Sequence, residues 1–155
     1  MCSGRLRDYK VSLEGSGEPA RLEGYRLLFN KKSGDGSGKA NVEPSADDEV
    51  WGVVYSIPDS DLGLLDDGER GYGREQKVIR HADGTLITAW VYIAVASCDR
   101  ALRPFGWYKR FLVEGATEHA LPRHYISKLE SVEFDEDVDR NRDKKKRALR
   151  CKTLS

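Results

Sequence analysis

The sequence predicts a single α+β domain, and three observations carry this prediction. The chain has 155 residues, which is a usual size for one domain. Runs of β-branched and aromatic residues dominate up to about residue 96, and apolar residues recur at helical spacing after Arg103. Strands that come first and helices that come later favour an α+β sheet over alternating βαβ units.

The first half of the chain contains two candidate strands. Residues 25–30 alternate between apolar and polar and end at the glycine-rich residues 33–38, which predict a mobile loop. Residues 50–57 are β-branched and aromatic on both faces. This pattern favours a strand that is buried on both sides and central in the sheet.

A short helix and a β-hairpin are predicted next. Residues 58–61 offer capping oxygens, so a helix is expected to begin near Leu62 and to stop near Gly68. The pair Asp83-Gly84 accepts positive φ and predicts a tight turn between strands at residues 76–81 and 85–96. Apolar residues on both faces of the second strand predict that both faces are covered.

Two helices and a charged tail are predicted at the C-terminus. Pro104 and Pro122 each suit a first helical position, and Gly115 suits the end of the first helix. The chain is almost entirely charged after Val132, with opposite charges at i,i+4 spacing that predict a frayed helix. We therefore expect a folded domain over residues 1–134 and a partly helical tail over residues 135–155.

Composition argues against several functional classes. The 26 basic residues balance 26 acidic ones, so net charge gives no long-range attraction to nucleic acid or to anionic lipid. No apolar run approaches the ~20 residues that span a bilayer, and the first residues lack an apolar signal core, so we expect a cytoplasmic protein. Cys2, Cys98 and Cys151 are too few and too far apart for a zinc site or a disulfide framework. Reduced thiols and no metal are expected.

Two motifs invite functional interpretations that their residues do not support. Residues 34–39 resemble a phosphate-binding loop, but Ser33 occupies the first glycine position and Ala40 lacks the hydroxyl that would bind Mg²⁺. A flexible connection is favoured. The basic residues 144–147 follow several acids and include no aromatic side chain that could stack on bases. A solvated tail is therefore favoured over a nucleic-acid-binding arm.

The acidic residues Asp66, Asp67 and Glu69 form the candidate catalytic segment. They follow the predicted short helix at the mouth of a buried sheet, and Tyr72 comes shortly after them. Apolar walls can desolvate a carboxylate and make it more basic, as a general base near neutral pH requires. Such a segment is also typical of a solvated turn, so the residues alone leave both interpretations open.

Several short motifs extend in a specific order over the chain from Met1 to about Val132. They are Gly24-Tyr25-Arg26-Leu27 and Phe29, then Gly38 with Ala40-Asn41-Val42, then Val50-Trp51-Gly52-Val53-Val54-Tyr55, then Leu65-Asp66 with Glu69 and Tyr72, and finally Tyr108, Gly115-Ala116, Glu118, Leu121-Pro122 and Tyr125. In their order and spacing these motifs make the chain resemble the γ-glutamylcyclotransferase-like proteins, which include the plant avirulence-induced proteins.

The resemblance implies a small mixed β-barrel with peripheral short helices and a reaction without a cofactor. In that reaction the α-amine of a γ-glutamyl group attacks its own γ-carbonyl, which forms 5-oxoproline and releases an amino acid or amine. The resemblance implies Glu69 as the general acid/base. It also implies that Tyr72, Tyr125, Gly38 and Asn41 bind the small-molecule γ-glutamyl substrate.

One motif of that family is missing. There, a strand carrying Tyr-Gly-Ser-Asn precedes the segment that residues 1–6 resemble, and its turn holds the glutamyl group. Tyr-Gly-Ser-Asn does not occur in this sequence. We expect that the sequence starts just after this motif. The alternative is a non-catalytic module that binds γ-glutamyl ligands and has lost turnover together with the loop.

Overall fold

Four strands form one antiparallel sheet in the computed structural model, which describes residues 6, 8–95, 98–149 and 151. In chain order they are β1 (Glu14–Lys32), β2 (Gly38–Ser56), β3 (Tyr72–His81) and β4 (Leu86–Ala94). Consecutive strands pair as two hairpins, β1 with β2 and β3 with β4. The second hairpin turns at Gly84, whose φ of +92° is the conformation predicted for the Asp-Gly pair.

The described sheet is open, with the strand order β2-β1-β3-β4, and it does not close into the expected mixed barrel. The two hairpins meet through only two residue pairs, Ala20↔His81 and Arg21↔Arg80. β2 is therefore an edge strand in the described sheet, and the prediction of a central strand is wrong. Helices cover one apolar face of β2, and residues of the other strands cover the opposite face. Both faces are therefore buried although β2 pairs with a strand along one edge alone in the described sheet.

Four α-helices that lie wholly within the described ranges accompany the sheet, so the α+β prediction is confirmed. They are α1 (Leu62–Gly68), α2 (Gly106–Glu118), α3 (Arg123–Glu130) and α4 (Arg140–Ala148). Helix α1 has the predicted bounds, but α2 continues past Gly115, which is buried against its neighbours instead of ending the helix. No helix in the described ranges has both the length and the apolar composition needed to cross a membrane.

The main core lies between β2 and the helix pair α2 and α3. Trp51 of β2 packs there with five residues of the helices and their connection, namely Ala116, Leu121, Tyr125, Ile126 and Leu129. A second cluster joins the strands through Ala20, Leu22 and Ile79. The opposite face of β4 remains open, since Leu86 is 54% exposed and Trp90 is 46% exposed. The prediction that both faces of β4 are covered is therefore wrong.

The charged C-terminal segment packs against α2. The Asp137 carboxylate is only 1% exposed and accepts hydrogen bonds from the Trp107 indole at 2.9 Å and from the Arg142 guanidinium. Asp139 caps α4 by accepting from two backbone N–H groups of its first turn. These contacts fix the helix that the charge pattern predicted, while the domain boundary after residue 134 stays a prediction.

The described cysteines differ in state. Cys98 is exposed and outside any disulfide, whereas Cys151 is buried and disulfide-bonded. The expectation of a reduced thiol is therefore wrong for Cys151. Sequence spacing misleads here because a disulfide depends on the distance between two Cα atoms in the fold. Cys2 lies outside the described residues.

Candidate active site

A cavity of about 700 Å³ opens on the inner face of the sheet. This volume is within the usual range for small-molecule sites. Its walls include inward-facing apolar residues from all four strands: Ala20, Leu22, Val42, Val54, Ile79, Ile87, Ala89 and Val91. Such walls exclude water and strengthen electrostatic interactions with any polar group placed among them.

The free edges of β2 and β4 also line the cavity. Residues 52–56 of β2 and 87–92 of β4 all belong to the cavity lining. Because consecutive residues of a strand point to opposite faces, the cavity must extend along the edges of these strands. At the far end of the two strands, the Asn41 side chain on β2 accepts a hydrogen bond from the backbone N–H of Ala94 on β4 at 2.9 Å. The gap between the strands is thereby tied at one end.

Glu69 is the acidic group that follows α1 and lines this cavity. Its backbone N–H donates to the Leu65 carbonyl at 3.0 Å, and its carbonyl accepts from the Tyr72 N–H at 3.1 Å. Gly71 provides the positive φ, +83°, with which the chain reverses into β3. Glu69 is only partly exposed. Glu69 therefore lies among the residues that line the cavity, and its catalytic role stays a prediction.

The charges around the cavity are mostly acidic. Glu14 and Asp59, both exposed, contribute to the lining together with Glu69. Among the described lining residues the cationic one is Arg21, which Glu23 engages at 3.0 Å. Acidic side chains near a cavity favour a ligand that presents a positive charge.

Tyr92 and Asp66 form a polar contact beside Glu69 that sequence reasoning missed. Tyr92 lines the cavity, and its hydroxyl donates to the Asp66 carboxylate at 2.6 Å. Burial raises the pKa of Tyr92, the bond to Asp66 raises it further, and the charge of Glu69 adds to the effect. The position of Asp66, three residues before Glu69 on a predicted helix, was the available signal, but the partner on β4 could not be identified from the sequence.

Three residues that were predicted to bind substrate instead make contacts within the fold and are not part of the cavity lining. The Tyr72 hydroxyl donates to the Ala40 carbonyl at 2.7 Å. Asn41 is 4% exposed and donates to the Asn30 side chain at 3.1 Å, besides accepting from β4. Gly38 has no room for a side chain, because a Cβ atom would lie 1.9 Å from a backbone carbonyl oxygen of β1.

Tyr125, the fourth predicted substrate-binding residue, lies behind β2 and not in the cavity lining. It is 2% exposed in the cluster around Trp51, where burial raises its pKa to about 12. Of the five predicted site residues, the structure thus places only Glu69 at the cavity. A substrate-binding role for the other four stays a prediction.

The lysine at the end of the glycine-rich segment, Lys39, lies at the start of β2 and is held within the fold. The Lys39 ammonium donates to Asp35 at 2.9 Å and lies 4.6 Å from the centre of the Trp107 ring and 4.8 Å from that of Tyr108. These cation–π contacts and the ion pair occupy the group that a phosphate-binding loop would present. Within the described residues, no group of three or more His, Cys, Asp or Glu side chains is arranged to hold a metal ion.

Fold and cavity together define a small α+β protein in which a partly exposed glutamate, Glu69, lies among the residues that line a cavity walled by the sheet. A family model described as the AIG2-like family matches residues 49–129. The chain belongs to the AIG2-like family.

Relatives and solved structures agree with this assignment. The chain is 33% identical over 123 residues to human gamma-glutamylcyclotransferase, an alignment that covers 74% of this chain and 64% of the relative. The chain therefore spans less than two thirds of that relative's length. A solved structure of a gamma-glutamyl cyclotransferase has a TM-score of 0.78 and 25% identity, with 95% of each chain covered. A structure of an uncharacterized human protein has a TM-score of 0.77 and 27% identity, with 92% of this chain and 89% of that chain covered.

Proposed function

We propose that the protein is a γ-glutamyl cyclotransferase in which Glu69 is the general acid/base. The observation that carries the proposal is the placement of Glu69, which is partly buried at the edge of a ligand-sized apolar cavity. The printed names of the relatives support it, since both the human relative and the solved structure are gamma-glutamylcyclotransferases.

The proposed reaction is an intramolecular acyl transfer. Glu69 accepts a proton from the substrate α-ammonium, and the resulting amine attacks the γ-carbonyl carbon. A C–N bond forms in the five-membered ring, Glu69 returns a proton to the leaving nitrogen, and the bond to that nitrogen breaks. The ring nitrogen loses its second proton, which the released amine takes up to leave as an ammonium group. The products are 5-oxoproline and a free amine or amino acid, and no electrons are gained or lost.

Such a reaction requires orientation and proton transfer from the protein, and no cofactor is proposed. Nucleophile and electrophile belong to one molecule, so fixing a reactive conformer can supply up to ~7–11 kcal/mol of the barrier. A positioned acid/base typically adds a factor of about 10²–10⁴. The acidic balance around the cavity supports binding of the substrate α-ammonium group.

Two finer predictions belong to this proposal. We keep the closed barrel as a proposal, because the tied edges of β2 and β4 leave a gap that one further strand would fill. We also keep a cytoplasmic location, as expected from the composition.

The experiment is an assay for 5-oxoproline over a panel of γ-glutamyl amines and γ-glutamyl amino acids. Wild type is compared with Glu69→Gln, which keeps the shape but cannot transfer the proton, and with Asp67→Asn. Asp67 is an exposed acid of α1 and not a lining residue, so its variant controls for loss of one negative charge. We expect turnover in wild type and Asp67→Asn, and a loss of about 10²–10⁴-fold in Glu69→Gln.

Two outcomes would contradict the proposal in different ways. Equal activity in wild type and Glu69→Gln would remove Glu69 from the mechanism. Ligand-induced stabilisation in a thermal-shift screen without any 5-oxoproline would support the non-catalytic binding module, since binding to the native state raises apparent stability.

A further inference from the structure

Helix α1 is weakly held, although it carries Glu69 at its end. It has seven residues, and none of them is buried. A helix this short is marginal in water without tertiary contacts. A general acid/base must be held close to its productive geometry, because a displacement of about 1 Å can reduce the rate by roughly 10²-fold. The position of Glu69 therefore depends on specific contacts between α1 and the sheet.

The contact that meets this need joins α1 to β3 and β4. Asp66 of α1 accepts the Tyr92 hydroxyl at 2.6 Å and lies 3.4 Å from the Arg74 guanidinium. Arg74 and Tyr92 are direct partners across the β3–β4 ladder. The Arg74 guanidinium in turn lies 4.7 Å from the centre of the Trp90 ring. Two groups of the paired hairpin thus hold one carboxylate of the helix, and a third, the Trp90 ring, holds one of those two.

Asp66 and Glu69 are coupled by their spacing. Residues three positions apart lie on the same side of a helix, and Glu69 is the C-terminal cap of α1. Rotation of the last turn of α1 would move both carboxylates together. An Asp66 that is held by Tyr92 therefore fixes the turn from which Glu69 projects.

We propose that Tyr92 and Asp66 are positioning residues that hold the Glu69 carboxylate toward the cavity, with Arg74 orienting Asp66. The catalytic part of this inference rests on the proposed function. The Asp66 side chain is 42% exposed, so the contact contributes little to global stability. Its effect is on the geometry of one turn, and the rate of the chemical step depends on that geometry.

The test is a double-mutant cycle of Tyr92→Phe and Asp66→Asn, with Tyr25→Phe as control. Tyr25 is also a strand tyrosine beside a charged group, Lys77, but it does not line the cavity. We expect each cycle variant to lower kcat by about 10- to 100-fold, with KM within about twofold of wild type. The double variant should be no slower than the slower single variant, because both changes break the same contact. Tyr25→Phe should keep the wild-type kcat.

Hydrogen–deuterium exchange provides a readout that does not require activity. The N–H groups of Glu69 and Tyr72 close the turn after α1, and we expect them to exchange faster in Tyr92→Phe while those of β1 and β2 are unchanged. Unchanged exchange at this turn, additive losses in kcat, or losses that follow a general fall in Tm would overturn the inference. A wild-type protein that makes no 5-oxoproline would contradict the proposed function alone, since the exchange experiment still tests the contact.

Discussion

The Asp137 carboxylate offers a test of how the C-terminal segment is held. Each of its oxygens accepts two hydrogen bonds. Oδ2 accepts from the Trp107 indole at 2.9 Å and from Arg142 Nε at 2.7 Å. Oδ1 accepts from Arg142 Nη2 at 2.5 Å and from the Asp139 backbone N–H at 2.9 Å. Hydrogen bonds from Arg142 lower the pKa of Asp137 from 3.8 to about 2, although burial opposes the shift. The ionised form is therefore strongly favoured in the folded protein.

The magnitude follows from this shift and from the burial of the pair. A pKa that falls from 3.8 in the unfolded chain to about 2 in the folded protein corresponds to roughly 2–3 kcal/mol in favour of the folded state. Asp137→Asn removes the negative charge and places an amide N–H₂ group opposite the hydrogen-bond donors that the carboxylate had accepted from. The cost is reduced because the Arg142 side chain is 30% exposed and can be hydrated again. We therefore expect the free energy of unfolding at pH 7 to fall by about 2 kcal/mol, below the ~3–5 kcal/mol of fully buried pairs.

The dependence on pH has a defined sign. Because the pKa of Asp137 is lower in the folded than in the unfolded chain, its contribution is complete above about pH 4 and is lost as the pH falls through about 2. Urea denaturation from pH 7 to pH 2 should show that the difference between wild type and Asp137→Asn narrows in this window.

The matched control is Asp143→Asn on the same segment. The Asp143 side chain is 14% exposed, but its partner Arg147 is 46% exposed and remains open to water, so removal of this charge should change the free energy of unfolding by less than about 1 kcal/mol. A difference between wild type and Asp137→Asn that stays constant down to pH 2 would refute the argument from ionisation. Equal losses in the Asp137 and Asp143 variants would refute the argument from burial.

Two further predictions each compare a glycine at which an added Cβ atom would clash with a control glycine at which it would meet nothing. Gly38→Ala should lower the free energy of unfolding by about 1–3 kcal/mol, since its Cβ would lie 1.9 Å from a backbone oxygen of β1. Gly34→Ala, with nothing within 4 Å, should stay within about 0.5 kcal/mol by urea denaturation. Gly68→Ala would place its Cβ 2.7 Å from the Tyr9 ring, so 5-oxoproline formation should fall as the turn before Glu69 shifts. Gly63→Ala on the same helix has open space and should keep activity; equal activity in both would contradict this expectation.

Local sequence signals predicted the elements that depend on local chemistry. The Asp-Gly turn, the bounds of α1 and the start of α3 after Pro122 follow from backbone preferences of a few residues, and the structure has them in place. The acidic segment was recognised as a candidate site from local signals as well, since Glu69 directly follows the end of a predicted helix.

Features that depend on distant partners were not predicted. β2 begins at Gly38 and passes through Pro44, a stretch without strand character by itself, because the long pairing with β1 provides its hydrogen bonds. Tyr125 is a buried aromatic residue with a polar tip, and its sequence pattern is the same whether it faces a cavity or a core. The role of Tyr92 depends on a contact 26 residues away along the chain, which periodicity cannot reveal.

The narrow junction between the hairpins has a mechanical consequence. Each hairpin is stiffened by its own long ladder, whereas the ladder between the two hairpins is confined to two residue pairs. Side-chain contacts supplement these pairs, among them the hydrogen bonds of Asn41 and Tyr72 and the ion pair of Arg80 with Glu23. Rotation of one hairpin against the other would strain few ladder pairs and would change the width of the cavity between them. A molecule that touches both hairpins acts as a brace across this junction, so occupancy should reduce their relative motion more than it changes either hairpin.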